Sequence, residues 1–283
     1  MKEFYGKGDY SVELPDLFLR HPPVAEGDKV VFRSDYLEIC IDNPISAFAW
    51  KMLLTILKYG DVEKMDGEFG LKVSIDKEWF LALMETADYE LLRENLKKLR
   101  ECGYTIKFYE NGRKRKEVGF VLLSSYELFE EGRFYFWLDR HFIFFIQERP
   151  LWFYFVFAHF LKKPSAMNLH AFLSANTSIR ESSIQALLER ARITTKYEPM
   201  ARKYLAGALD ELVSVGFLKG YHIDTKAGKV ILERYDKAVL QIKALELKNR
   251  LEQKARENLE KFRKIWRESK RRQRARKKND LSF

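Results

Sequence analysis

The chain has 283 residues, 46% of them hydrophobic and 14% aromatic, enough for two cores of ordinary domain size. Its two cysteines, Cys40 and Cys102, exclude a disulfide framework and a cysteine-rich metal site, so a reducing cytoplasm is the expected setting. The net charge of +10 is unevenly placed: residues 236–283 hold 17 Lys/Arg against 7 Asp/Glu, whereas residues 1–235 hold 34 of each. The tail therefore suits a polyanionic partner, and contact by the body with nucleic acid must come from local clusters. The longest uncharged stretch of the most apolar region, residues 150–161, is well short of the roughly 20 residues that span a bilayer, so no membrane is expected.

Residues 1–36 carry scattered Gly and Pro and are read as an arm laid on a first domain at 37–140. A strand is expected at 37–41. Residues 46–59 place Ala49, Met52, Leu53, Ile56 and Leu57 at helical spacing. A strand at 71–75 and a helix at 76–85 follow. The turn Thr86-Ala87-Asp88 then leads into a helix at 89–101 with the stripe Leu92, Leu96 and Leu99. Extended runs at 104–109 and 118–124 flank Asn111-Gly112, a hairpin signal. This order is that of a winged helix, a helix-turn-helix with a β-ribbon appended.

The pattern recurs in a second domain at 141–235. Residues 133–138 and 151–156 read as extended, and 164–177 and 181–191 as helices. A longer helix is expected at about 196–215, with Thr195 and Glu198 as its capping box and Leu205, Leu209 and Leu212 facing the core. Residues 217–223 and 229–233 bracket a second hairpin. The segments 96–104 and 209–217 share the pattern L-x-x-L-x-x-small-G-aromatic, which suggests two copies of one domain type. In the tail at 236–283, Leu240, Ala244, Leu247, Leu251, Ala255, Leu259, Phe262 and Trp266 step by three or four. The expected fold is α+β: two tandem winged-helix domains plus a long basic C-terminal helix.

Enzyme signatures are missing from the sequence. There is no GxxxxGK phosphate loop, and His21, His141, His159, His170 and His222 form no pair with metal spacing. No catalytic role, cofactor or metal is expected, and each histidine is read as structural or at the surface.

Four groups of residues are candidate DNA contacts. Tyr89, Arg93, Lys97 and Arg100 step along one face of the helix at 89–101, opposite its leucines, although Glu90, Glu94 and Glu101 fit a plain solvated face equally well. Lys196, Tyr197, Arg202 and Lys203 gather at the N-terminal end of the later helix. The macrodipole disfavours cations there, and a phosphate partner would account for them. Arg113, Lys114, Arg115 and Lys116 crowd one hairpin tip, and Lys226 and Lys229 make a weaker second tip. The tail is either a nonspecific DNA clamp or a helix packed on the body, and its stripe and basic end allow both.

The run Pro164-Ser-Ala-Met-Asn-Leu-His-Ala-Phe-Leu-Ser-Ala-Asn176 resembles a helix of the TrfA-type plasmid replication initiators. Tyr89-Glu-Leu-Leu-Arg-Glu-Asn-Leu-Lys-Lys-Leu99 is similar to their first recognition helix, and Ala206-Gly-Ala-Leu-Asp-Glu-Leu-Val-Ser-Val-Gly-Phe-Leu218 to their second. Leu14-Pro15 and Leu19-Arg20 sit where that family has a comparable arm. The resemblance covers about residues 46–235. It implies an initiator of theta-type replication that binds origin repeats in double-stranded DNA through both winged helices. It also implies recruitment of the host initiator, helicase and sliding clamp, and a switch between homodimer and DNA-bound monomer. Arg93, Lys97, Arg202 and Lys203 would then be base or phosphate readers. Asp16-Leu17-Phe18 and Asp280-Leu281-Ser282-Phe283 loosely fit clamp-binding peptides. A transcription regulator of the same fold, or a protein-interaction scaffold with a nucleic-acid-binding tail, are the alternatives.

Overall fold

The computed structural model describes residues 11–280, apart from 26, 28, 67–69, 130, 131 and 149. It is a mixed α+β structure, 50% helical and 31% strand, with several small sheets and a long C-terminal helix. The elements run β1 (Val12–Pro15), α1 (Asp16–Arg20), β2 (Lys29–Arg33), β3 (Leu37–Asp42), α2 (Ala47–Tyr59), β4 (Asp61–Asp66), β5 (Gly70–Asp76), α3 (Lys77–Leu83), α4 (Tyr89–Glu101), β6 (Gly103–Glu110), β7 (Arg113–Val121), β8 (Leu123–Leu128) and β9 (Arg133–Leu138). They continue through α5 (Arg140–Glu148), β10 (Pro150–Phe153), α6 (Phe155–Phe160), α7 (Pro164–Ala175), β11 (Glu181–Ser183), α8 (Ile184–Ala191), α9 (Glu198–Ser214), β12 (Leu218–Asp224), β13 (Lys229–Arg234) and α10 (Lys237–Asp280).

The same connectivity occurs twice. In the second unit, α7, β11, α8, α9, β12 and β13 follow one another, and the sheet order is β11-β13-β12. In the first, α2, β5, α3, α4, β8 and β9 take the same roles, with β5-β9-β8 as the matching order and β4 added outside β5. The turns between the paired helices also match. Glu85 and Arg192 both have positive φ, 55° and 58°. Each donates its N–H to the carbonyl three residues back, and the next residue donates five back: Thr86 to Leu81, Ile193 to Leu188. These bonds satisfy carbonyls orphaned at the helix end.

Here the structure corrects the expected first hairpin. Residues 103–121 do fold back on each other at Asn111-Gly112, with φ of 49° and 73° as a two-residue turn of this hand requires. That hairpin pairs with β3, however, in the separate sheet β2-β3-β6-β7. Its apolar face explains the choice: Tyr104 and Phe120 stack at 5.3 Å and meet Phe18 of the arm. The hairpin that completes the first unit is β8–β9.

Other boundaries move as well. Residues 181–183 form β11 rather than helix, because they pair with β13, and the strand expected at 151–156 ends at Phe153, so that residues 155 and 156 open helix α6. The expected Thr195–Glu198 capping box does not form, since α9 starts only at Glu198 and its N-cap, Tyr197, makes no side-chain bond. The repeated helix-end motif also diverges. Gly216 has φ of 76°, as an L side chain would resist, whereas Gly103 simply opens β6 without a positive φ. The two motifs end differently because β6 leaves for another sheet and β12 stays in its own.

The arm and the tail join the units. β1 pairs with β10 and α1 packs on α7, while β2 belongs to the sheet built on the hairpin, so the arm lies on both units rather than on the first alone. Phe18, at the centre of Asp16-Leu17-Phe18, is fully buried against Tyr104 and Phe142, and the segment is not presented as an exposed peptide. Residues 281–283 of the C-terminal peptide lie outside the described residues. α10 packs along α3 and α6; its Ala244, Leu251 and Ala255 are buried and Leu259, Phe262 and Trp266 partly buried. Lys254 pairs with Glu85 at 2.7 Å and Arg263 with Glu78 at 2.7 Å. The tail up to Trp266 is thus part of the body.

Candidate nucleic-acid interface

In α4, Asp88 caps the helix by accepting from Glu90 N and Leu91 N. Buried Asn95 accepts from Ser46 Oγ at 2.7 Å and donates to the Leu91 carbonyl, which ties α4 to the start of α2. Leu92, Leu96 and Leu99 are fully buried, as their spacing predicts. The opposite face carries only charge. Arg93 is paired with Glu90, and Lys97 lies 3.7 Å from Glu101. Arg100 sits over the Tyr126 ring at 5.9 Å. Arg93, Lys97, Arg100, Val121, Leu123 and Tyr126 help line an open groove of about 490 Å³ between α4 and the β7–β8 edge. Tyr89 does not join them: its ring packs edge-on to Phe134 and its hydroxyl is buried.

In α9, Leu205, Leu209 and Leu212 are fully buried, while the N-terminal turns project. Tyr197 is 66% exposed, Tyr204 52% and Met200 38%. Lys196 and Lys203 are exposed and have no ion pair among the described residues. Arg202 is half-buried and lies 3.5 Å from Glu198, one turn back. The sequence reading found Lys196, Tyr197, Arg202 and Lys203 but missed Met200 and Tyr204. The spacing of Tyr204, seven residues after Tyr197 and one place from the core leucine, carried the signal.

The hairpin cations are exposed, but Arg115 bonds Glu110 at 2.7 Å and Lys114 bonds Glu117 at 2.9 Å. Arg113 and Lys116 have no such partner among the described residues. All four lie at the start of strand β7 rather than in a loop. At the second tip, Asp224 accepts from Lys226 N and Ala227 N and leaves the Lys226 side chain exposed. Lys229 pairs with Glu181 of β11, whose hydrogen bond raises its pKa.

Other cations are taken up internally. Arg192 donates to the carbonyls of Val24 and Pro22 in the arm, and its burial lowers its pKa to about 10. Arg234 donates to the carbonyls of Leu173 and Asn176 and so caps the end of α7. The histidines read as structural include three held neutral, chiefly by burial: His21 at about 4, His159 and His170 at about 3. His170 is enclosed by the rings of Phe153, Phe157 and Phe217. Among the described residues no group of His, Cys, Asp or Glu could hold a metal ion, and no helix is long and apolar enough to cross a membrane. No protein-family model and no curated protein matches this sequence.

Proposed function

We propose that the protein binds double-stranded DNA in a sequence-specific way through two winged-helix units, and that it initiates plasmid replication from repeated origin sites. One observation carries the reading: each unit has helix, strand, helix, helix and hairpin in that order, with β4 and the β6–β7 hairpin inserted in the first unit, and with the last strand in the interior of the sheet. In such units the third helix enters the major groove by its N-terminal half. α9 suits that role, because its first turns project, and Lys203 on them and Lys196 just before them have no ion pair among the described residues. The replication role rests on the resemblance around Leu169 to Ser174 and on the tandem arrangement. A homodimer in the free state, and recruitment of the host initiator, helicase and sliding clamp, belong to the same proposal. A transcription regulator of this fold would bind a single promoter palindrome instead of an iterated array.

The full-length protein should select a preferred sequence from a pool of randomised duplexes. Its affinity for that sequence should fall steeply with salt, because each neutralised phosphate releases counterion. Equal affinity for the selected and unselected duplexes would defeat the proposal.

A further inference from the structure

We infer that Met200 and Tyr204 read thymine methyl groups in the major groove, making α9 an apolar reader flanked by cations. The inference rests on the proposed duplex binding through α9 and specifies what that helix recognises. Along one side of α9 the residues Met200, Tyr204, Gly207 and Glu211 follow at helical spacing. The C-terminal part of this side is covered. Lys163 Nζ donates to the Gly207 carbonyl at 2.8 Å, and the Glu211 carboxylate accepts the N–H groups of Lys162 and Lys163 at 3.2 and 3.1 Å. Met200 and Tyr204 are left bare on the first two turns, with Tyr197 just before them.

The charge around this bare stretch fits one class of occupant. Lys196 and Lys203 flank it, and the nearby anion, Glu198, is engaged by Arg202. A polyanion with an apolar feature at helix depth meets both demands. In the major groove the thymine C5-methyl group is that feature, since the other groups on the base edges are hydrogen-bond donors and acceptors. A second copy of the chain would place Lys196 and Lys203 against their own like charges in a symmetric contact.

The test uses the duplex selected by the full-length protein and a series in which deoxyuridine replaces each thymine in turn, removing only the methyl group. The expected result is a loss of about fourfold at one or two positions, the worth of a buried methyl. That loss should disappear in Met200→Ala or Tyr204→Ala, whose exposed side chains leave thermal melting unchanged. If a duplex is selected and every deoxyuridine is tolerated by the unmodified protein, the inference is wrong while duplex binding stands. If no duplex is selected, the underlying proposal fails and this inference falls with it. Conversion of a free dimer to monomer by Tyr204→Ala would mark the face as an interface between copies, and overturn the inference.

Discussion

The two units share a connectivity but not a surface. The first is surrounded by additions: a separate four-stranded sheet, the arm, and α10 lying on α3. Its third helix, α4, shows an outward face made only of charge, with Arg93 and Lys97 already paired to glutamates of the same helix. The second unit is barer. Its third helix, α9, projects aromatic and apolar side chains between two cations that have no ion pair among the described residues. Internal pairing lowers what a cation gains from phosphate, because the existing contact must be given up first. Under the proposed function, the difference gives the two helices different work: backbone positioning for α4, base reading for α9.

The largest expected effect separates the part of the tail that supports the first unit from the basic part beyond Trp266. Removing residues 237–283 strips α3 and α6 of contacts with Leu251, Phe262 and Trp266 among others. At about 1.5–3 kcal/mol per large buried side chain, the loss is on the order of 5–10 kcal/mol, comparable to a whole domain's stability. That truncation should fail to fold by circular dichroism. Removing only 267–280 deletes eight basic and two acidic residues over about 21 Å of helix. It should leave the melt unchanged and flatten the salt dependence of binding to random DNA.

Next in size is the contrast between the helices. Lys196→Glu with Lys203→Glu should weaken binding to the selected duplex about 100-fold, whereas Arg93→Glu with Lys97→Glu should cost less than about tenfold. Equal losses in a fluorescence-anisotropy titration would erase the distinction.

The matched turns give a third comparison. Glu85→Gly and Arg192→Gly both relieve a left-handed residue of about 1 kcal/mol of strain. Arg192→Gly also removes the donor to the Pro22 carbonyl, whereas the Val24 carbonyl keeps its bond from Asn168 Nδ2. It should destabilise by about 1–2 kcal/mol in urea unfolding, and Glu85→Gly, which also loses the exposed ion pair with Lys254, should be near neutral.

Smallest is the acid response of the buried histidines. Each is neutral in the fold and free to charge once unfolded. Each therefore favours the native state fully above the ordinary value of 6.5, and less so as pH falls from there towards 3–4. The expected slope is about 1.4 kcal/mol per pH unit for each histidine in that window. His170→Leu should lower that slope by one histidine's share, measured by urea unfolding between pH 7 and 5, and an unchanged slope would contradict it.

Most helices and their core stripes were legible in the sequence because burial imposes a period of 3.6 residues on them: Leu92, Leu96 and Leu99, then Leu205, Leu209 and Leu212, all lie inside. Sheet membership was not legible. The hairpin around Asn111-Gly112 announces its own turn, but its pairing with β3 depends on Phe18 and Phe142, far away in the chain. The three residues of β11 are too few to show any period. Within the candidate interface, the cations could be read off directly, whereas their partners could not. Pairing within α4, and the cover over Gly207 and Glu211, arise only once the chain is folded.

Tethered cleavage tests the central claim most directly, since Cys40 and Cys102 are buried and a cysteine introduced at an exposed position can be labelled selectively. An iron chelate carried at Thr194→Cys, just before α9, should cut the selected duplex at one short cluster of positions inside the recognised sequence. A chelate at Ala87→Cys, just before α4, should cut more weakly, at the edge of that sequence. Cutting from Ala87→Cys alone, with none from Thr194→Cys, would contradict the assignment of base reading to α9.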